Sequence, residues 1–570
     1  MFPRRDRKES CLPPEKYPSC NSTSTNNWCR MLRLFSLVSS CSAILLFSPP
    51  ANAQQQEPDR PIEQVIDFYI GQRLQTENIT PAPTATDANL IRRTMLDLVG
   101  RIPTAAEAQT YINSAETDKR IKLVDHLLAD PAYIRHQATE FDAMLMHESG
   151  RSLRTYLLEA FAENRPWDRM FREMLLGVES DKEQNGAIQF VRARVGDLDK
   201  LANETSVLFF GVNVSCAKCH DHPLVPNWTQ DHFYGMKSFF SRTFENGGFI
   251  GERDYGLVKY KTTEGEERTA KLMFLSGAEL AEPESKDPTD EEKKAENQRL
   301  EELKKNKQPP AAPTFSRRLQ LVETSLQQNE NGFFPRAIVN RLWYRLLGHG
   351  LVMPLDQMHS ENEPSHPELL GWLARDLVQH NYDLKRLIRG IVLSDTYARS
   401  SIWSAAGDRP EPELFAVANV RPLTPQQYAM TLRMASMHPD QFAATLSPDD
   451  FSKRVESAEG SARGFANQFE QPSDGFRIAT DEALLLSNNE RFNQEFLRDD
   501  GGSLIGKLKT IEDKRQLVET AIWNTWTRPP EEEETNLLVS FLEKRTDRPQ
   551  DGIKWLTWTL LTSSECRFNY

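Results

Sequence analysis

The residues best equipped for chemistry are Cys216-Ala217-Lys218-Cys219-His220, continued by Asp221-His222-Pro223. Two thiols spaced by two residues, with an imidazole directly after the second, is the arrangement in which thiols add to the vinyl groups of a haem while the imidazole ligates its iron. On this reading Cys216 and Cys219 form thioethers, His220 takes the proximal position, and the chain holds one covalent haem c. With seven cysteines and eleven histidines in 570 residues, the pattern is expected by chance on the order of 10⁻³ times. The chemistry implied is electron transfer with a redox partner protein. The distal ligand is open among His232, Met236, His136, Met144, Met146 and His147, each of which by itself reads as a packed or surface side chain.

Two other chemistries use the same residues. Cys216, Cys219, His220 and His222 have the donor set of a closed zinc or iron site, although adjacent ligands at 219 and 220 strain a tetrahedron. In the third reading Cys216 and Cys219 are oxidised to each other, no metal is bound, and the protein is a structural or binding scaffold at the cell surface. No nucleophile elbow, phosphate loop or paired-carboxylate signature competes with these, so an enzymatic role is left open. Asn340, Arg341, Asp356 and His366 are the polar residues to inspect in the second half.

The motif needs elements to hold it. Leu198, Leu201, Leu208 and Val212 mark a helix that delivers the chain to Cys216. Thr229 is placed to cap a second helix carrying Phe233, Met236 and Phe240 on one face. The motif is therefore expected in a loop between two amphipathic helices.

Cysteine placement and charge narrow the setting. Cys11, Cys20, Cys29 and Cys41 precede Ala53, and only Cys216, Cys219 and Cys566 follow it, which excludes a multi-disulfide framework. Met31-Leu32-Arg33, the apolar run to Phe47 and Ala51-Asn52-Ala53 have the three parts of a secretory signal. Residues 1–53 are thus expected to be an upstream extension and signal peptide, with export to the periplasm or cell surface and no stable transmembrane span after cleavage. They carry seven basic and three acidic residues, so a net charge of −13 becomes −17. That balance disfavours nucleic acid, which needs a cationic face. Nothing in the sequence sets the oligomeric state.

The fold class expected is mainly α: two helical domains joined by a short β-hairpin region and a charged linker. The first domain spans 60–245. Its helical spacing shows in Ile62, Val65, Ile66 and Tyr69, and again in Ile121, Val124, Leu127 and Leu128. Residues 246–315 hold the one convincing strand pair, Leu257–Thr262 with Arg268–Phe274 turning at Glu264-Gly265, then a charged, Pro-flanked run from Glu282 to Pro313 with no core-forming face. The second domain spans 316–570. There Phe333-Phe334-Pro335 opens a helix that stops at Gly348, and Ser365-His366-Pro367-Glu368 has the form of a capping box in which Ser365 accepts from the Glu368 amide and His366 sits on the surface of the first turn.

Several longer stretches go further than composition. They are Asp97-Leu98-Val99-Gly100-Arg101-Ile102-Pro103-Thr104, Leu127-Leu128-Ala129-Asp130-Pro131, the central Cys216 to Pro223 with Asp231-His232-Phe233-Tyr234, then Arg336 to Trp343, Gly348-His349-Gly350-Leu351-Val352, Pro364 to Leu370, and Leu560-Leu561-Thr562-Ser563-Ser564-Glu565. Through them the chain resembles the paired planctomycete cytochrome-type and surface-associated domains, secreted bacterial domains of unknown function, over nearly all of its length after Ala53. The resemblance implies an exported protein with haem-type chemistry and attaches no substrate. Neither the separate amino-terminal cytochrome module of many relatives nor the sugar-binding-like insert of some is expected here, so Cys216–His220 alone would supply any haem.

Overall fold

The computed structural model describes residues 60–570, apart from 148, 178–180, 285–286, 328–331, 406, 444 and 473–479. The signal segment and its Ala53 exit lie outside the described residues. What is described is mainly α, with only two-stranded antiparallel sheets between the helices. None of the described helices is long and apolar enough to cross a membrane.

Helical periodicity translates directly into buried faces. Ile62–Thr76 buries Ile62, Val65, Ile66, Ile70 and Leu74, spaced three or four residues apart so that they share one stripe. Lys119–Ala129 buries Val124, Leu127 and Leu128, but Ile121, expected on the same face, is 48% exposed. Asp87–Val99 is different, because almost every side chain on it is buried, Arg92 and Arg93 included. A helix buried all round must touch core on more than one side. Here Ile91, Met95, Leu98 and Val99 join one apolar cluster while Leu96 joins a second.

Those two clusters are not divided along the sequence. The larger one runs from Ile62 to Val417, and the smaller combines Leu96 and Ile102 with residues from Leu423 to Cys566. Phe334, opening the helix Phe333–Leu347, lies against Trp167, Phe171 and Tyr382 with ring centroids 6.2, 4.7 and 5.5 Å away. Aromatic rings on either side of the charged run therefore share one core, and the described residues form one compact unit.

A hydrogen-bond hub reinforces this. Asp97, 4% exposed, accepts from Arg421 Nη1 and Nη2 (2.9 and 2.7 Å), from the Tyr397 hydroxyl (2.7 Å) and from Asn569 Nδ2 (3.1 Å). A buried carboxylate is tolerable only with this kind of pairing. The next residues close the helix: Gly100 adopts φ +71° at its end, where a Cβ would meet His136 Nδ1 at 2.4 Å. Arg101 then forks onto Glu107 with two 2.8 Å bonds, and Glu107 completes a capping box with Thr104.

The expected hairpin turns where expected but is shorter: Lys259–Lys261 pairs with Glu267–Thr269, Gly265 takes φ +86° in the turn, and the strand expected over Arg268–Phe274 stops at Thr269. It is not alone. Thr243–Asn246 pairs with Phe249–Glu252 across Gly247-Gly248, both at positive φ, as a tight two-residue hairpin turn requires. Leu272–Met273 also pairs with Glu279–Leu280, and Arg421–Pro422 with Phe568–Asn569. These strands are too short to show alternation, so periodicity could not reveal them. The charged run contains a helix, Asp290–Lys305, started by a Thr289–Glu292 capping box and burying none of its residues.

Two expected helix starts are built differently. At Pro367–Gln379 the N-cap is His366, not Ser365, and no side chain caps the helix. His366 is 4% exposed instead of lying on the surface, its ring packing against Phe415, and burial pulls its pKa down to about 4. At Gln230–Ser238 the Thr229 side chain makes no cap; the Gln230 amide instead donates to Asp221 Oδ1 at 3.3 Å.

Candidate functional site

The helix Leu198–Phe210 ends at Gly211 with φ +68°, and the chain turns through Ser215–Lys218, a short 3-10 helix that includes Cys216. Backbone groups around this turn are held from outside. Asn203 Oδ1 accepts from Val214 N, and Asn213 Oδ1 from Ser215 N, both at 3.1 Å. The Lys218 carbonyl accepts from Gln230 Nε2 (3.1 Å) and the Tyr234 hydroxyl (3.2 Å), while the Lys218 ammonium lies 2.8 Å from Asp199. Ala217 and Val214 are fully buried underneath. Cys216 and Cys219 are consequently left as free, exposed thiols on a fixed backbone.

The two motif histidines are committed in opposite ways. His220 Nδ1 lies 2.6 Å from the Asp221 carbonyl oxygen. A carbonyl can only accept, so Nδ1 carries the proton and Nε2 is the nitrogen with a free lone pair. A backbone carbonyl on one ring nitrogen fixes the tautomer of a metal-binding imidazole in this way. His222 Nδ1 instead accepts from the amides of Leu224 (3.3 Å) and Val225 (3.2 Å), which places any neutral-ring proton on Nε2. His222 is 9% exposed and sits edge-on to Trp228 at 5.4 Å between centroids. Burial, followed by the nearby His359 and His220 rings, holds its pKa below the ordinary histidine value. His222 thus folds the Leu224–Trp228 turn, while His220 keeps its Nε2 lone pair unused. Among the described residues, no three His, Cys, Asp or Glu side chains gather closely enough to hold a metal ion.

The second half of the chain reaches this site. Asn213 N donates to the Asp356 carbonyl (2.7 Å) and Asn213 Nδ2 to its carboxylate (3.0 Å); Met358 N donates to Gly211 O (2.9 Å). Asn340 fixes the base of the same loop by exchanging two bonds with Val352, at 2.9 and 3.0 Å. This strap sets His359 beside the motif, its ring centroid 6.0 Å from His222 and 5.7 Å from Trp228. Both His359 ring nitrogens are buried without a hydrogen-bond partner. A lone histidine after a proline-containing loop carries no sequence signal, and sequence reasoning missed it.

The distal candidates named from sequence are scattered. Met236 is fully buried in the core and Met146 lies under Arg194, whose Nη1 is 3.7 Å from its sulfur. His136, Met144 and His147 line a cavity to which no motif residue contributes. His232 is half-buried on the following helix with Nδ1 unpartnered. Cys566 is fully buried, and burial pushes its thiol up to about 12, so it has no part in the exposed pair's chemistry.

Fold and site together define a mainly α protein in which a Cys-x-x-Cys-His turn from one half is braced by a loop from the other. The family models divide the sequence in the same way: PSCyt2, a protein of unknown function (DUF1549), matches residues 65–245, and PSD1, a protein of unknown function (DUF1553), matches 317–542. The chain belongs to the proteins that carry these two domains in tandem. No curated protein and no solved structure matches it.

Proposed function

We propose that the protein is an exported, single-haem redox protein attached through Cys216 and Cys219, with His220 as proximal ligand. The observation that carries the reading is the His220 tautomer: its Nδ1–H is spent on the Asp221 carbonyl, leaving Nε2 available, while Cys216 and Cys219 are free, exposed thiols. When bound, the haem would supply one-electron chemistry. The chain's own part is to keep both thiols outward on a braced turn, to hold the imidazole in one tautomer, and, through His222 and Trp228, to lock the loop that follows. Export rests on the signal-like segment ending at Ala53.

A second reading is favoured by the exposure of Cys216, Cys219 and His220. A site so open gives little shelter from water, and in a metal-free surface scaffold the two cysteines would pair with each other. The test is to make the protein in a host with haem-ligation machinery and compare His220→Ala with His222→Ala. The haem reading expects His220→Ala to lose the proximal-ligand spectrum. It expects His222→Ala to keep haem after denaturation. Equal retention of spectrum and haem by both variants would remove His220 from the site.

A further inference from the structure

A cavity of about 990 Å³ lies away from the cysteine motif, between the helices Pro131–Met146 and Phe333–Leu347 and the strand pair at Arg421–Pro422. Its charge runs against that of the chain. Three guanidinium groups, Arg341, Arg345 and Arg421, face two carboxylates, Asp97 and Glu140, in a protein of net charge −13.

The surplus is localised. Asp97 is committed to Arg421 by two bonds and is further satisfied by Tyr397 and Asn569. Arg341 and Arg345 are different. They sit one turn apart on the same helix, an i,i+4 pair of like charges that is unfavourable unless something offsets it. Neither is bonded to a carboxylate: Arg341 donates to the Val207 carbonyl and Arg345 to Gln137 Oε1 at 2.6 Å. The Nε atoms of both are buried with no partner, so each keeps a donor in reserve. Burial pulls Arg341 down to about 10 and lowers Arg345, a cost that a bound anion would relieve. Glu140 faces Arg345 electrostatically but accepts its hydrogen bond from the Thr424 hydroxyl, at 3.0 Å, and burial raises its carboxyl.

The rest of the wall is not that of a bare-ion site. Phe141, Met144, Leu355 and Val420 supply apolar surface, and the volume is at the upper end of the roughly 300–1,000 Å³ typical of small-molecule pockets. We propose that this cavity binds an organic oxyanion, with a carboxylate, sulfate or phosphate group held by Arg341 and Arg345 and an apolar body lying against Phe141, Met144, Leu355 and Val420. Forked guanidinium donors suit such groups. The site makes no use of Cys216–His220, so its test does not depend on haem attachment.

The experiment is calorimetric titration of the exported chain with 2-naphthoate, 4-nitrophenyl sulfate, the neutral 2-naphthamide, and inorganic sulfate. Both aryl anions should bind saturably, and naphthamide and inorganic sulfate should each bind at least about tenfold more weakly. Arg341→Met and Arg345→Met should each weaken naphthoate binding by about tenfold, and Arg345→Lys should recover part of the loss. Circular dichroism on each variant reports folding, and the comparison of naphthoate with naphthamide needs only the parent protein. Equal binding of anion and amide would overturn the proposal, as would folded methionine variants that bind naphthoate like the parent. Absence of aryl-anion binding at about 10 mM, well above the range of a specific small-molecule site, would overturn it too, and inorganic sulfate binding as tightly as the aryl sulfate would remove the organic body from it.

Discussion

Replacing Asp97 by alanine removes the one carboxylate that ties the helix Asp87–Val99 to Arg421, Tyr397 and Asn569. The cost follows from what is left behind. Arg421, its side chain 15% exposed, loses both bidentate bonds and keeps only the Arg345 carbonyl as acceptor. Breaking a buried pair by removing one partner costs about 3–5 kcal/mol, because the remaining charge is uncompensated. Arg421→Met should cost less, since the Asp97 carboxylate would still accept from the Tyr397 hydroxyl and the Asn569 amide. The double variant leaves neither charge and should be more stable than the sum of the single losses implies, by more than about 1 kcal/mol. Urea titration followed by tryptophan fluorescence measures all three, with the midpoint expected to move at constant slope. An Asp97→Ala loss under about 1 kcal/mol, or strict additivity of the pair, would refute the reasoning that this hub is paired and buried.

Other outcomes follow from the same geometry. Phe334→Ala should cost about 3–5 kcal/mol, and because its neighbours Trp167 and Phe171 belong to the first half, near-ultraviolet dichroism of both halves should weaken together. Stability should fall as pH drops below 6.5, because His136 and His366 are buried neutral with pKa values of about 3 and about 4, so the unfolded chain binds more protons between those values and 6.5. His366→Gln should flatten that acid limb, and an unchanged limb in a folded variant would count against it. Limited proteolysis should cut first around the unburied helix Asp290–Lys305, and the two fragments should co-elute on gel filtration because the larger core runs from Ile62 to Val417. In haem-loaded protein, His359→Phe should leave covalent attachment intact while changing the visible spectrum, and an unchanged spectrum would place His359 outside the iron's surroundings.

Much of the scaffold was legible because local rules and tertiary structure agree. Gly348 ends the Phe333–Leu347 helix at φ +79° as a C-terminal glycine should, and Phe233, Met236 and Phe240 all point inward. Where tertiary partners took over, the sequence misled. Thr229 was displaced as a cap by Asp221, an oxygen supplied by the motif loop itself, and His366 exchanged a surface position for a place against Phe415. Ile121 kept helical register with its neighbours yet faces solvent. The cysteine motif could be read from spacing alone, but the split between its histidines could not, since it depends on which backbone groups each ring meets. The approach of Asp356 and His359 from the second half is a long-range contact that no local pattern encodes. The Arg341–Arg345 surplus is likewise visible only once Asp97 is seen to be spent on Arg421.

Covalent haem on Cys216 and Cys219 would show in the mass of the denatured, non-reduced peptide that contains both. Protein made with export and haem-ligation machinery should show that peptide heavier by one haem, with the haem absorbance band surviving denaturation. A zinc or iron site would be lost with the fold and leave the peptide at its unmodified mass. A peptide at that mass, or one lighter by two hydrogens from a Cys216–Cys219 disulfide, would contradict the account.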